Sequence, residues 1–359
     1  KYLWIKIMAY SSIAKPTDHF NTVLYTGNAT DDRTVTGVGF QPDWLWIKNR
    51  ADTEKHRLQD VVRGATKNIK SSGNGAEETT SNTVKSFDSD GFTLGVDNAI
   101  NGNSDAMVSW NWKAANSSGS SNSDGSITST VSANTTAGFS IVKYTGTGSN
   151  ATVGHGLGAA PSMIIFKNTN STRDWAVYHS AMNDPDAYLA LNQTYAKEAS
   201  YNFSNNTAPT SSVFSVGTLN GNNGSSQEYI AYCFAEKKGY SKFGSYTGNG
   251  NADGAFVYTG FLPAFVLIKS TASSTNWPII DNKRPGYNPA NAADFVMFAN
   301  TDSAESSSST RGADFNSNGF KIRGTNNDVN GTSEIIYMAF AKNPFVGNDS
   351  GTAVPVTAG

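Results

Sequence analysis

The chain has 359 residues, 38% of them hydrophobic and only 16% charged, with a net charge of −2 and a single cysteine, Cys233. Its 27 basic residues are scattered among 29 acidic ones, which gives no support for nucleic-acid binding. One cysteine excludes an intramolecular disulfide framework and a Cys-rich zinc site, and no apolar run reaches the roughly 18 residues of a membrane-spanning helix.

The N-terminal arm, 1–17, begins Lys1-Tyr2-Leu3-Trp4-Ile5-Lys6-Ile7, too short for a secretory leader with its flanks. Met8 follows, and the expectation is that residues 1–7 lie upstream of the natural start. A first β repeat spans 18–115. It carries the turn Tyr25-Thr26-Gly27-Asn28, then Pro42 seventeen residues after the tyrosine and Lys48 six later. Between these lies Trp44-Leu45-Trp46-Ile47, too short for a helix and bounded by turn residues, which predicts a strand covered on both faces. In the last strand Val108, Trp110 and Trp112 alternate with Ser109 and Asn111. A period of two puts the bulky set on one face and the small set on the other. Residues 116–137, with the run Asn116-Ser117-Ser118-Gly119-Ser120-Ser121-Asn122-Ser123-Asp124-Gly125, have the composition of a flexible linker.

The same registers recur in a second repeat, 138–238, and a third, 239–345. Tyr144 and Tyr246 precede Pro161 and Pro263 by seventeen residues, and Lys167 and Lys269 follow those prolines by six. Phe92, Phe214 and Phe320 each lie 20 residues before Trp112, Phe234 and Phe340. Ile230, Tyr232, Phe234 and Ile336, Met338, Phe340 repeat the bulky alternation. The expected fold class is all-β: three tandem β-sandwich repeats, jelly-roll-like, of about 90–100 residues. Each folds independently, with the three prolines at equivalent strand starts. Only Lys237-Lys238-Gly239-Tyr240 separates the last two repeats, so these pack rigidly while copy one swings on its linker. The C-terminal tail, 346–359, reads as extended.

No catalytic, cofactor or metal site assembles from this pattern. Cys233 aligns with Asn111 and Ala339, a position that asks only for something small. The four histidines do not cluster, Gly154-His155-Gly156-Leu157-Gly158 reads as a turn, and Asp88-Ser89-Asp90-Gly91 lacks the rest of a calcium loop. One constellation stands out. Twelve residues after the repeated lysine come Asp60, His179 and Asp281, and four before these come His56, Trp175 and Trp277. Arg63 and Arg284 follow by three. Positions i and i+4 of a strand share a face, so each copy places a ring beside a polar group. Sugars are bound by such pairs; the alternative is a buried aromatic with a strand-end salt bridge. A glycosidase needs two facing carboxylates, and here only Asp60 and Asp281 recur, in separate copies.

The runs Phe20-Asn21-Thr22-Val23-Leu24-Tyr25-Thr26-Gly27-Asn28, Ala208-Pro209-Thr210-Ser211-Ser212-Val213-Phe214-Ser215-Val216-Gly217 and Gly239-Tyr240-Ser241-Lys242-Phe243-Gly244-Ser245-Tyr246-Thr247-Gly248-Asn249-Gly250 carry a resemblance. They resemble an uncharacterised repeated domain of virion structural and tail-fibre-type proteins of marine tailed phages, notably those of cyanobacteria and SAR11-type bacteria. The similarity runs from Met8 onward and brings no catalytic residues. It implies a particle component assembled in the host cytoplasm: a non-enzymatic structural protein of a tail fibre, spike or appendage that contacts the host surface. The alternatives are a capsid decoration or head-fibre protein, or a secreted carbohydrate-binding or depolymerising module. The partners this implies are other virion proteins, further copies of the chain (a trimer above all) and a host-surface glycan, with no membrane insertion.

Overall fold

The computed structural model describes residues 11–284 and 295–344; the expectations for residues 1–7 and the 346–359 tail lie outside them. Every copy is built on one antiparallel sheet whose strand order is first, last, third, fourth. In copy one these strands are Phe20–Thr26, Ala106–Trp112, Trp44–Asn49 and Arg57–Asp60. In copy two they are Phe139–Thr145, Glu228–Phe234, Met163–Asn168 and Ala176–His179. In copy three they are Ser241–Thr247, Glu334–Pro344, Phe261–Ser270 and Pro278–Asp281. Pro42 and Pro161 lie two residues before the third strand. Pro263 occupies the same place but falls inside a longer strand, at a register break in its ladder, where a residue without an N–H is tolerated.

A smaller sheet covers one face of each large one, formed by Arg33–Thr36, Gly91–Leu94 and Val84–Asp88 in copy one. Between the layers lie the alternate residues of the large sheet: Leu45 and Ile47 in copy one, Ile164, Phe166 and Cys233 in copy two, Val266 and Ile268 in copy three. Each copy is therefore a β sandwich with a small core of its own.

The opposite face of each large sheet carries the bulky residues, and it does not face solvent. Trp44, Trp46, Trp110 and Trp112 pack with Ile165, Tyr232 and Phe234 of copy two and with Phe265, Met338 and Phe340 of copy three in one continuous core. Trp44 stacks on Tyr232 with ring centroids 4.3 Å apart, and Phe20 on Phe340 at 5.1 Å. The equivalent residues Trp112, Phe234 and Phe340 converge: Phe340 lies 5.8 Å from Trp112 and 6.0 Å from Phe234. The three sheets thus close around a pseudo-threefold axis. This corrects the expectation of independently folded repeats. A period of two identifies residues that share a face; here that face is covered by the neighbouring copies. Separated modules would expose a row of tryptophans, each worth about 1.5–3 kcal/mol when buried.

Copy one does not swing. Within the expected linker, Ser120–Asn122 and Ser129–Asn134 add two strands to the edge of the copy-two sheet. The buried Asp43 carboxylate accepts the backbone N–H of Ala114 at 2.6 Å and of Asn116 at 2.9 Å, pinning the entry to the segment. Its Ser and Asn residues suit a solvated sheet edge as well as they suit a loop.

The repeated Tyr-Thr-Gly turn has a local cause. Tyr25, Tyr144 and Tyr246 donate their hydroxyls to the carbonyls of Ile100, Asn222 and Val329, each just before the last strand. A buried asparagine closes the clasp: Asn101, Asn223 and Asn330 accept the N–H of Asn28, Thr147 and Asn249. Their amides donate to Gly95, Gly217 and Gly324. A Cβ at Gly27, Gly146 or Gly248 would collide with the backbone of Gly102, of Gly224, or of Asn330 and Gly331, so only glycine fits there.

Candidate functional site

The ring-plus-polar constellation does share a strand face, as its spacing requires, and that face meets the next copy. Trp175 donates its indole N–H to Lys70 O at 3.0 Å, and Trp277 donates to Ala190 O at 3.0 Å. His56 Nε2 lies 3.0 Å from Phe298 O, and its Nδ1 accepts the Trp46 indole N–H at 2.8 Å. Lys70, Ala190 and Phe298 are structurally equivalent, each one residue beyond the partner of Leu58, Val177 or Ile279. The three bonds therefore run copy two to one, three to two and one to three, a closed ring.

The second position closes a ring in the other sense. Asp60 Oδ2 accepts the Tyr232 hydroxyl at 2.8 Å, and Asp281 Oδ2 accepts the Trp110 indole N–H at 3.0 Å. At the third interface Met338 has no donor to offer, and His179 Nε2 instead pairs with Tyr337 O at 3.1 Å. Backbone bonds join the same seams: Glu77 N–H to Thr169 O, Lys197 N–H to Thr271 O and Glu305 N–H to Arg50 O, at 2.7 to 2.9 Å.

Charges at these seams are paired. Arg284 binds Asp281 at 2.6 Å and Glu305 at 3.0 Å, while Arg50 reaches Glu305 from copy one at 2.7 Å. Arg63 binds Asp60 and Glu77 in the same arrangement. Copy two has His179, Met182 and Lys197 at these places. The acidic, basic and acidic members are replaced together, as expected where loss of one would leave a buried charge uncompensated. Burial pushes the Asp281 carboxyl up, but the Arg284 guanidinium and its hydrogen bonds outweigh this and hold it below its ordinary value. Burial lowers His56 to about 3 and His179 to about 4, so both imidazoles are neutral. The repeated lysines Lys48, Lys167 and Lys269 are lowered by burial to about 8; Lys167 and Lys269 donate to Asn74 O and Thr194 O of the preceding copy.

His56, Asp60, Trp175, His179, Trp277, Asp281 and Arg284 are all at most 2% exposed, and the Arg63 side chain is 2% exposed. An open sugar-binding face made of these residues is therefore corrected: they are staples between copies. Cys233 is buried as a small filler, its thiol pushed up by burial. Among the described residues no group of three His, Cys, Asp or Glu could hold a metal ion, and no helix is long and apolar enough to cross a membrane.

A groove of about 590 Å³ opens to solvent on copy two, near the seam with copy one. Tyr188, Tyr195, Leu219, Asp174, Glu198 and Asn220 line it, with Trp175 at its base. Neither tyrosine has a ring at the equivalent place in the other two copies, so the repeat pattern carries no signal for them.

A family model described as a domain of unknown function, DUF7483, matches residues 15–344. The chain belongs to that family. The DUF7483 match takes in all three copies, the same span over which they share one core. No curated protein and no solved structure matches the chain.

Proposed function

We propose that the chain is a non-enzymatic structural protein of a tailed-phage particle, part of a tail fibre, spike or appendage, made in the host cytoplasm and carried on the virion. The observation that supports this reading is the use of the repeated ionisable residues: Asp60, Asp281, Arg63, His56 and His179 are buried in bonds between copies, and Arg284 lies over the Trp110 ring of copy one, so that they stabilise a closed body. Such a body suits a rigid part that transmits or presents a surface. The resemblance of its turn motifs to virion proteins supports a place on the particle. Other virion proteins would be its partners, and association into a homotrimer belongs to the same proposal.

A capsid decoration or head-fibre protein is the second reading. The closure of three copies about one axis favours it, since a single chain could then sit on a threefold position of a shell. Peptide mass spectrometry of gradient-purified particles, followed by immunogold labelling, tests both. The expected result is the chain in stoichiometric amount on the particle, with label on an appendage for the first reading and on the head for the second. Absence from purified particles would overturn both.

A further inference from the structure

We propose that the copy-two groove binds a neutral pyranose unit of a polysaccharide or glycoconjugate. The three copies provide an internal comparison. Tyr188 pairs with Glu198 where copy one pairs Asn68 with Glu78 and copy three pairs Val296 with Ser306. Counting from the equivalent residues Lys70, Ala190 and Phe298, Tyr195 stands where the others have Gly75 and Ser303. Two aromatic rings have thus been placed on one copy of a shared scaffold. The Tyr195 ring is 53% exposed at the edge of the groove, a position that adds nothing to a core.

The polar groups around these rings are held ready. Tyr188 stacks on Phe203 at 5.0 Å and donates its hydroxyl to Glu198 Oε2 at 2.6 Å. Asp174 Oδ1 accepts the amides of Asn192 at 2.6 Å and Gln193 at 3.2 Å. A volume of about 590 Å³ matches one or two sugar rings and falls within the usual range of small-ligand sites. Flat rings meet the C–H face of a pyranose, and carboxylates and amides accept from and donate to its hydroxyls. Arg173 is the one cation among the lining residues against Asp174 and Glu198. The balance is negative, which selects a neutral sugar over a uronate or other acidic one.

Affinity electrophoresis of the full chain through gels containing dextran, mannan, laminarin or arabinogalactan, with alginate as the acidic polymer, tests the site. At least one neutral polymer retards the wild-type chain and alginate does not. Tyr195→Ala weakens that retardation about tenfold or more with an unchanged melting temperature, and Tyr195→Phe keeps it. The proposal is overturned if no neutral polymer retards the chain, if alginate alone does, or if Tyr195→Ala binds as wild type. The assay uses the isolated chain, so its failure and the absence of the chain from virions are separate results.

Discussion

Tyr232 of copy two donates its hydroxyl to Asp60 of copy one across 2.8 Å, and the same carboxylate oxygen is held by Arg63. Trp110 makes the equivalent bond to Asp281 at the next seam around the axis. A buried carboxylate is tolerated only when its lone pairs are filled, and here a neighbouring copy fills one of them. The spacing that looks like a ligand site is therefore a device for joining modules.

Removing the donor tests that relationship. Tyr232→Phe should lower stability by about 1.5–3 kcal/mol, the scale of a hydrogen bond to a charged group. Asp60→Ala should cost about 3–5 kcal/mol, because Arg63 is left buried without its partner. Urea unfolding of both variants measures this. A Tyr232→Phe protein as stable as wild type would show the bond to be incidental.

Trp277 is 1% exposed and bonds across a seam, so Trp277→Ala should lose about 3–5 kcal/mol. A drop of less than 1 kcal/mol in the same assay would mean that the ring is not buried against copy two.

The histidines set an acid limit. All four have lowered pKa values, with burial the largest cause in each, and His56 and His179 reach about 3 and about 4. Below the ordinary pKa of about 6.5 the unfolded chain binds protons on His56 and His179, and the folded chain does not until the pH nears their lowered values. Stability should therefore fall as pH drops from about 6.5 toward 4, by up to about 1.4 kcal/mol per pH unit per histidine. Asp281, lowered instead by Arg284, adds its loss only below the ordinary carboxylate range, near pH 4. Urea midpoints that stay flat or rise between pH 6.5 and 4.5 would contradict this.

The asparagine clasp predicts a local cost. Asn223→Ala removes one acceptor and two donors from the Thr147, Gly217 and Ser149 backbone groups and should destabilise by about 1–3 kcal/mol. Hydrogen exchange at Thr147 should speed up in the variant; unchanged protection there would argue against the clasp.

Much of the fold is legible in the residues. The strand Trp44–Asn49 reads as buried on both faces because all of Trp44, Leu45, Trp46 and Ile47 are apolar, and so it is. What covers the bulky face is not legible, since periodicity assigns Trp110 and Trp112 to a face without naming its neighbour. Composition misled at Ser120–Asn122, where backbone pairing to a sheet edge overrides a linker-like sequence. The clasp escaped for a one-residue reason: the ungapped frame sets Val329 opposite Asn101 and Asn223, while the structure uses Asn330. Tyr195 belongs to a segment whose counterparts, around Gly75 and Ser303, carry no ring, so comparing copies could only pass it by.

Three sandwiches that share one core should unfold as one body. Differential scanning calorimetry of the full chain tests this most directly. A shared core predicts a single transition whose calorimetric and van't Hoff enthalpies agree, shifted as a whole by Trp277→Ala. Two or three resolved transitions, with only the copy-three transition moved by that substitution, would contradict it.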